Sequence, residues 1–190
     1  MTRHVLFPSV LYKEMMEISD EYNNEMIREV FRHTDENDSS ATTFWDPKGL
    51  QDNPVFKELI EKILISVHKY SDGRYRISGM WAQVYRRGGY IGVHTHGTHP
   101  ISGVYYLHVP KTEEGYHLRF VYDKWTLNGN EWDEPIETKK LLLFEGWVLH
   151  GSAPNPISEP KIVISFNFEI HSNTDPMLIA PILVNPVMKI

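Results

Sequence analysis

The chain has 190 residues, of which 41% are hydrophobic and 12% aromatic, enough for one domain with an apolar core. Its net charge of −6 argues against a general nucleic-acid binder, because neutralising phosphates requires a basic surface. It has no cysteine, which excludes disulfides, thiolate catalysis and cysteine-bound zinc or iron–sulfur sites. Any metal ligands must therefore be imidazoles and oxygens, and ten histidines are available.

The first third of the chain is predicted to hold one strand and two helices. Residues 3–10 are predicted to form a short strand, and residues 12–32 carry apolar side chains at roughly helical spacing. Residues 33–52 are polar and irregular. A second helix starts where Asn53 can act as N-cap and Pro54 fits the first helical position. Its apolar stripe consists of Phe56, Leu59, Ile60, Ile63, Leu64 and Val67.

From residue 75 onward, short runs rich in Val, Ile, Tyr, Phe and Trp alternate with turn residues. The predicted strands cover residues 77–86, 91–96, 101–109, 116–122, 139–144, 146–150 and 161–170. Seven short strands at this spacing are typical of a sandwich, jelly roll or barrel. We therefore predict a mainly β protein with N-terminal helices. A single domain over residues 1–190 would combine a helical support at about 10–70 with a β core at about 75–170.

The sequence also predicts where the protein resides. The opening residues contain no apolar run of signal-peptide length. No stretch approaches the ~20 apolar residues that a membrane span needs. We therefore expect a soluble, cytoplasmic protein.

Three histidines form a candidate metal site. His94 and His96 are two residues apart in a predicted strand, so both side chains point to the same face and can reach one ion. His150 follows the apolar run 141–149, which is predicted to be a buried strand. A histidine that ends such a strand is well placed to supply the third ligand.

The strand after His150 separates two kinds of side chain. One face carries Ile162, Ile164, Phe166, Phe168 and Ile170. The other face carries Lys161, Val163, Ser165, Asn167 and Glu169. This pattern predicts a polar cavity on the second face, with a solvated sheet face as the alternative. Two other pairs share a face in the same way, Gln83 with Tyr85 and Tyr106 with His108.

These residues resemble a known family. The segment 85–96, Tyr-Arg-Arg-Gly-Gly-Tyr-Ile-Gly-Val-His-Thr-His, is similar to the Tyr…Gly…His-x-Asp segment of prolyl-hydroxylase-type iron(II)/2-oxoglutarate oxygenases. Together with Ser-Gly-Val-Tyr-Tyr-Leu at 102–107, it looks more like the 2-oxoglutarate/iron(II) oxygenase family with a His-x-His…SGVYYL pattern. Residues 144–167 resemble that family's distal histidine and the basic strand that follows it. The resemblance spans about residues 80–170.

The resemblance implies a double-stranded β-helix, the cupin-like jelly roll, with iron(II) and 2-oxoglutarate as cofactors. It implies a dioxygenase that uses O2 to hydroxylate a substrate, with release of succinate and CO2. The implied iron ligands are His94, His96 and His150. The residues implied to bind 2-oxoglutarate are Lys161 and Tyr106 at its far carboxylate, with Tyr85, Ser165 and Asn167 lining the pocket.

One position departs from the usual facial triad of two histidines and one carboxylate, because His96 stands where the carboxylate is expected. Three neutral imidazoles leave the iron two units positive instead of one, which should alter its redox potential and ligand affinity. His99 and Asp123 are alternative ligands, and strand parity with His94 favours His96.

Two other classes stay open at this stage. A cupin-type metalloprotein is favoured by Gly88 before His94-x-His96, although Pro100 and Ile101 stand where its glutamate is expected. Such a protein would not need Lys161. A non-enzymatic jelly-roll binding domain would hold no metal, and the absence of a G-x-S-x-G motif disfavours a hydrolase.

The substrate stays open as well. The loop 123–138, with two tryptophans, is a candidate cover for the mouth of the site, and an ordinary exposed hairpin loop is the alternative. The apolar run 177–190 is a candidate for packing on a barrel edge or on a second subunit, so a homodimer is one possible assembly.

Overall fold

The computed structural model describes residues 10–71, 73–113, 115–121 and 131–171. Two α-helices lie near the start, α1 (Asp20–Arg32) and α2 (Lys57–Tyr70). Two 3-10 turns, Leu50–Asp52 and Pro54–Phe56, lead into α2. The strands are β1 (Tyr12–Met15), β2 (Ser40–Thr42), β3 (Tyr75–Tyr85), β4 (Ile91–His94), β5 (Ile101–His108), β6 (Tyr116–Val121), β7 (Glu131–Ile136), β8 (Lys140–Phe144), β9 (Leu149–Ser152) and β10 (Lys161–Ile170).

The strands form two antiparallel sheets. The large sheet has the order β1-β8-β5-β10-β3-β2, and the small sheet has the order β4-β9-β6-β7. Neighbours in space are mostly distant in sequence, and from β3 onward successive strands cross from one sheet to the other, except that β6 and β7 are both in the small sheet. This is the double-stranded β-helix that the sequence predicts, with the helices before the β core.

The large sheet has a buried outer face and a buried inner face. Its outer face packs under the helices, where Met26 and Ile63 join the same core as Ile164 and Phe166. Its inner face packs against the small sheet, where Val104 and Val163 meet side chains such as Leu118 and Phe120. Burying both faces explains why strands such as β5 are buried nearly throughout.

The helix starts follow ordinary capping chemistry. The Ser19 hydroxyl oxygen accepts a hydrogen bond from the Tyr22 backbone N–H at 3.2 Å and caps α1. The Asn53 side chain accepts from the Val55 N–H at 3.0 Å, and Pro54 occupies the first helical position. Asn53 therefore caps the 3-10 turn that leads into the helix, whereas α2 itself begins at Lys57 without a side-chain cap.

Several predicted boundaries are wrong. The predicted helix 12–32 begins at Asp20, because Tyr12–Met15 pairs with β8 and places alternate side chains against the sheet. The interval 33–52 contains β2, which pairs with the end of β3. Within the interval predicted as a loop, Glu131–Ile136 is β7, paired with β6. The predicted strand 3–10 lies outside the described residues except for residue 10.

The limits of two site strands also differ from the prediction. β4 ends at His94, so His96 lies in the loop after the strand. β9 runs from Leu149 to Ser152, so His150 lies within a strand rather than at its end.

No helix in the described ranges is long and apolar enough to span a membrane. One domain over residues 1–190 stays a prediction.

Gly103 is expected to be intolerant of a side chain. A Cβ there would lie 2.6 Å from the Leu142 carbonyl oxygen and 2.6 Å from a ring atom of Phe166. We expect Gly103→Ala to lower the free energy of unfolding by about 1–3 kcal/mol, the usual cost of overpacking. The matched control is Gly92→Ala, where a Cβ has no neighbour within 4 Å. Urea denaturation of both variants checks this, and equal stability of the two would contradict it.

Candidate metal and cosubstrate site

The three predicted histidines meet beside the β4–β9 pair of the small sheet. His94 and His150 are directly paired across β4 and β9. His96, in the loop after β4, is held by a hydrogen bond from its backbone N–H to the Gly146 carbonyl at 2.7 Å. The ligand nitrogens of all three lie within 4.8 Å of one another, and the Nε2 atoms of His96 and His150 are 3.2 Å apart.

The Nδ1 atom of each histidine faces an oxygen. His94 Nδ1 donates to the Gly92 carbonyl at 2.8 Å, and His150 Nδ1 donates to the Val148 carbonyl at 2.9 Å. His96 Nδ1 donates to the Asn167 side-chain oxygen at 2.6 Å. Because a neutral imidazole carries one proton, all three Nε2 atoms are left with a free lone pair.

Burial keeps two of these rings neutral. Desolvation lowers the pKa of His96 to about 4, partly opposed by the Asn167 hydrogen bond and assisted by the nearby His94 and His99. Desolvation likewise lowers the pKa of His150 to about 3, with His94 adding to the effect. Neutral imidazoles are the form that binds metal ions.

The convergence of three lone pairs fits a cation. Lone pairs facing each other at 3.2 Å repel unless a positive charge lies between them. Three imidazole nitrogens suit iron, zinc, copper or nickel rather than magnesium or calcium. His99 does not join the group, because its Nδ1 faces the Phe168 carbonyl at 3.3 Å. Asp123 lies outside the described residues.

A cavity with an empty volume of about 410 Å³, counted to its open mouth, runs inward from the histidines between the sheets. Its lining contains Lys161, which is 1% exposed. The Lys161 Nζ donates to the Ser152 hydroxyl at 3.2 Å and lies 4.8 Å from the centre of the Tyr85 ring. Among the described residues, no carboxylate forms a salt bridge with this ammonium group.

Two further donors in the cavity lack a partner. The hydroxyls of Tyr85 and Tyr106 are buried without a hydrogen bond to any described residue. Burial alone lowers the pKa of Lys161 to about 8, so it is still mainly protonated at neutral pH. A buried cation and two unpaired hydroxyls are costly unless an acceptor fills the space between them. The cavity therefore fits an anion, such as the far carboxylate of a keto acid.

The remaining predicted residues separate into two groups. Ser165 lines the cavity and donates to the Gln83 side-chain oxygen at 3.2 Å. Asn167 is not among the lining residues; it supports His96 instead. His108, predicted to share a face with Tyr106, pairs with Glu159 at 2.8 Å. A register shift in the β10–β5 pairing separates His108 from Tyr106.

Sequence reasoning missed a line of aromatic rings that leads outward from His96. The Trp81 ring stacks on His96 at 5.8 Å, Phe44 meets Trp81 at 5.0 Å, and Trp45 meets Phe44 at 4.8 Å. Phe44 and Trp45 are 50% and 82% exposed. Trp81 could have been found, because it alternates with Gln83 and Tyr85. Phe44 and Trp45 lie in a loop, where no alternation of side chains marks them in the sequence.

The sequence matches a protein-family model. The family described as "Putative 2OG-Fe(II) oxygenase" matches residues 79–167, which contain the three histidines and Lys161. A comparison with curated proteins found no significant match.

The fold is similar to solved structures. One is HygX from Streptomyces hygroscopicus with nickel, 2-oxoglutarate and hygromycin B bound, at 12% identity and a TM-score of 0.66, over 83% of this chain and 82% of that chain. Another is the non-heme alpha-ketoglutarate-dependent epimerase SnoN from nogalamycin biosynthesis, at 10% identity and 0.66, over 83% and 77%. A third is a Pseudomonas putida prolyl-4-hydroxylase, at 12% identity and 0.60, over 85% and 93%.

The family match over residues 79–167, together with the fold, supports assignment of the chain to the superfamily of 2-oxoglutarate- and iron(II)-dependent oxygenases. It is an oxidoreductase, and its cofactors are iron(II) and 2-oxoglutarate. The predicted family, fold and cofactors are confirmed, so the non-enzymatic and cupin alternatives are set aside.

The lowered pKa values predict a pH dependence of stability. Between about 6.5 and about 4 the unfolded chain binds protons at these histidines that the folded chain does not. We therefore expect the free energy of unfolding of the metal-free protein to fall as the pH falls through this range. Urea midpoints at pH 7 and pH 5 measure it. The His96→Gln/His150→Gln double variant should lose less stability over the same interval, and an equal loss would contradict the assignment.

Proposed function

We propose that this protein is an iron(II)- and 2-oxoglutarate-dependent dioxygenase that hydroxylates its substrate, with His94, His96 and His150 as the iron ligands. The observation that carries this proposal is a pairing of features along one cavity. Three imidazole nitrogens converge at its outer end, and a buried lysine without a carboxylate partner among the described residues lies farther in.

The residues inside the cavity orient the cosubstrate. Lys161 binds the far carboxylate of 2-oxoglutarate in a charge-assisted contact, and Tyr106 and Tyr85 donate their unpaired hydroxyls to it. Ser165 and Gln83 also line this cavity. The keto-acid end is thereby directed toward the metal-binding nitrogens.

The protein provides geometry and a dry cavity. When bound, iron(II) and 2-oxoglutarate supply the oxidising chemistry, in which O2, 2-oxoglutarate and substrate give hydroxylated substrate, succinate and CO2. Val104, Val163 and Leu118 line the cavity with apolar surface and limit the entry of water. His94, which is only partly buried, borders the mouth through which a substrate reaches the site.

We place the substrate at the aromatic rings of Trp81, Phe44 and Trp45. Exposed rings held next to a catalytic centre are a common feature of binding surfaces. Phe44 and Trp45 lie in the loop after β2, and Thr43 anchors that loop to β3. The Thr43 N–H donates to the Ala82 carbonyl, and the Thr43 hydroxyl accepts from the Ala82 N–H.

Of the predicted covering loop, residues 123–130 lie outside the described residues. A cytoplasmic location, the homodimer and the absence of nucleic-acid partners stay predictions.

The first experiment is an anaerobic titration of the metal-free protein with iron(II) and then 2-oxoglutarate. We expect a visible metal-to-ligand charge-transfer band that appears only when both are present. His94→Ala should abolish the band because a ligand is lost. Metal binding without the band would contradict the cosubstrate assignment, and no metal binding would contradict the whole proposal.

The lysine can be tested separately. Lys161→Met keeps most of the side-chain volume but removes the charge, so we expect the dissociation constant of 2-oxoglutarate to rise about 10- to 100-fold, as for loss of a charge-assisted contact. Iron affinity should be unchanged. The exposed Lys69→Met variant is the control for removing a lysine. A Lys161→Met protein that binds 2-oxoglutarate like the wild type would refute this role.

A further inference from the structure

Asn167 makes two hydrogen bonds through one oxygen. Its Oδ1 accepts from His96 Nδ1 at 2.6 Å and from the Ser102 hydroxyl at 2.8 Å. Ser102 is fully buried. Neither residue lines the cavity, so this pair lies behind the metal-binding ring rather than in contact with a ligand.

The large sheet builds this arrangement. Asn167 of β10 lies directly opposite Ser102 of β5 on one side and Gly79 of β3 on the other. The β10–β3 register shifts immediately after Asn167. Irregularities of this kind re-aim a side chain and are frequent beside active sites. Three adjacent strands thus fix the position of one amide oxygen.

His96 depends on this oxygen in a way that the other two histidines do not. His94 and His150 each donate to a backbone carbonyl two residues earlier, at Gly92 and Val148. Those acceptors are backbone carbonyl groups, which any residue at the same position would supply. The partner of His96 is a side chain 71 positions away in the sequence. It therefore exists only because these particular residues are present.

A carboxylate ligand has no tautomers, but a histidine ligand does. His96 stands where oxygenases of this superfamily usually have a carboxylate. If the proton moved to Nε2, the ring would present an N–H instead of a lone pair to the metal. An oxygen acceptor at Nδ1 prevents this, and such partners of metal-binding histidines orient the ring and raise its basicity.

We propose that Asn167, held by Ser102, is a positioning residue that keeps His96 in its Nδ1–H form and so makes it a metal ligand in place of a carboxylate. This inference rests on the proposed function of the three histidines. Asn167 acts through His96 and makes no contact with the substrate.

The test measures cobalt(II) binding by visible absorption and the tautomer of His96 by nitrogen-15 NMR of the metal-free protein. The variants are Asn167→Ala, Asn167→Asp and Ser102→Ala. We expect Asn167→Ala to weaken cobalt(II) binding about 10- to 100-fold, the usual effect of losing such a partner. It should also give a mixture of His96 tautomers. Ser102→Ala should change both in the same direction by a smaller factor.

The Asn167→Asp variant distinguishes the loss of a hydrogen-bond acceptor for His96 from a general loss of protein stability. The carboxylate keeps an acceptor at His96 and adds negative charge, so cobalt(II) affinity should match or exceed that of the wild type. The iron(III)/iron(II) potential should fall. Asn23→Ala is the control, because Asn23 is also buried, bonds to Leu107 and Tyr105, and lies outside the site. It should lose stability without altering metal affinity or the tautomer.

The outcomes distinguish the two proposals. If the wild type binds cobalt(II) but Asn167→Ala binds it equally well with an unchanged tautomer, this inference is wrong and the proposed function stands. If Asn167→Asp is as weak as Asn167→Ala, positioning by an acceptor is also wrong. If the wild type binds no metal at all, the proposed function fails and this inference fails with it.

Discussion

The structure depends on strand β10 having two faces with opposite tasks. Because side chains alternate along a strand, one face can enter the apolar core under the helices while the other faces the cavity. Ile164 and Phe166 belong to the first face, and Lys161 and Asn167 belong to the second. A shift of one residue would bury the lysine under the helices. Pairing with β3 and β5 on both edges prevents that shift.

Electrostatics connects the two ends of the cavity. Its lining includes no aspartate or glutamate among the described residues, and the three histidines are a neutral ligand set. In the proposed site, an iron(II) ion held by these histidines would keep both of its positive charges, and Lys161 would add a third. A dianionic keto acid would therefore enter a cavity with uncompensated positive charge. Its binding would offset the cost of burying the ammonium group, a cost that is seen in the lowered pKa of Lys161.

The fold alone does not select the reaction. HygX, an epimerase and a prolyl-4-hydroxylase share this architecture with the chain at 12% identity or less. A common scaffold with different chemistries places the specificity in the side chains around the mouth. In this protein we propose that these side chains include Trp81 and the exposed Phe44 and Trp45, whose rings lead outward from His96.

The sequence by itself determined the β core, the second helix, the three histidines and Lys161, because these follow from short-range periodicity and from motifs within one strand. The tertiary structure decided which side chains meet. Strand parity predicted that His96 would lie beside His94, and it does so for a different reason, since β4 ends at His94 and a hydrogen bond to Gly146 holds His96 in place. The contact between Asn167 and His96 joins residues 71 positions apart, across a register shift that periodicity does not encode. Alternation assigned Asn167 to the right face, but only the packing of three strands decided that it supports a histidine rather than lining the cavity.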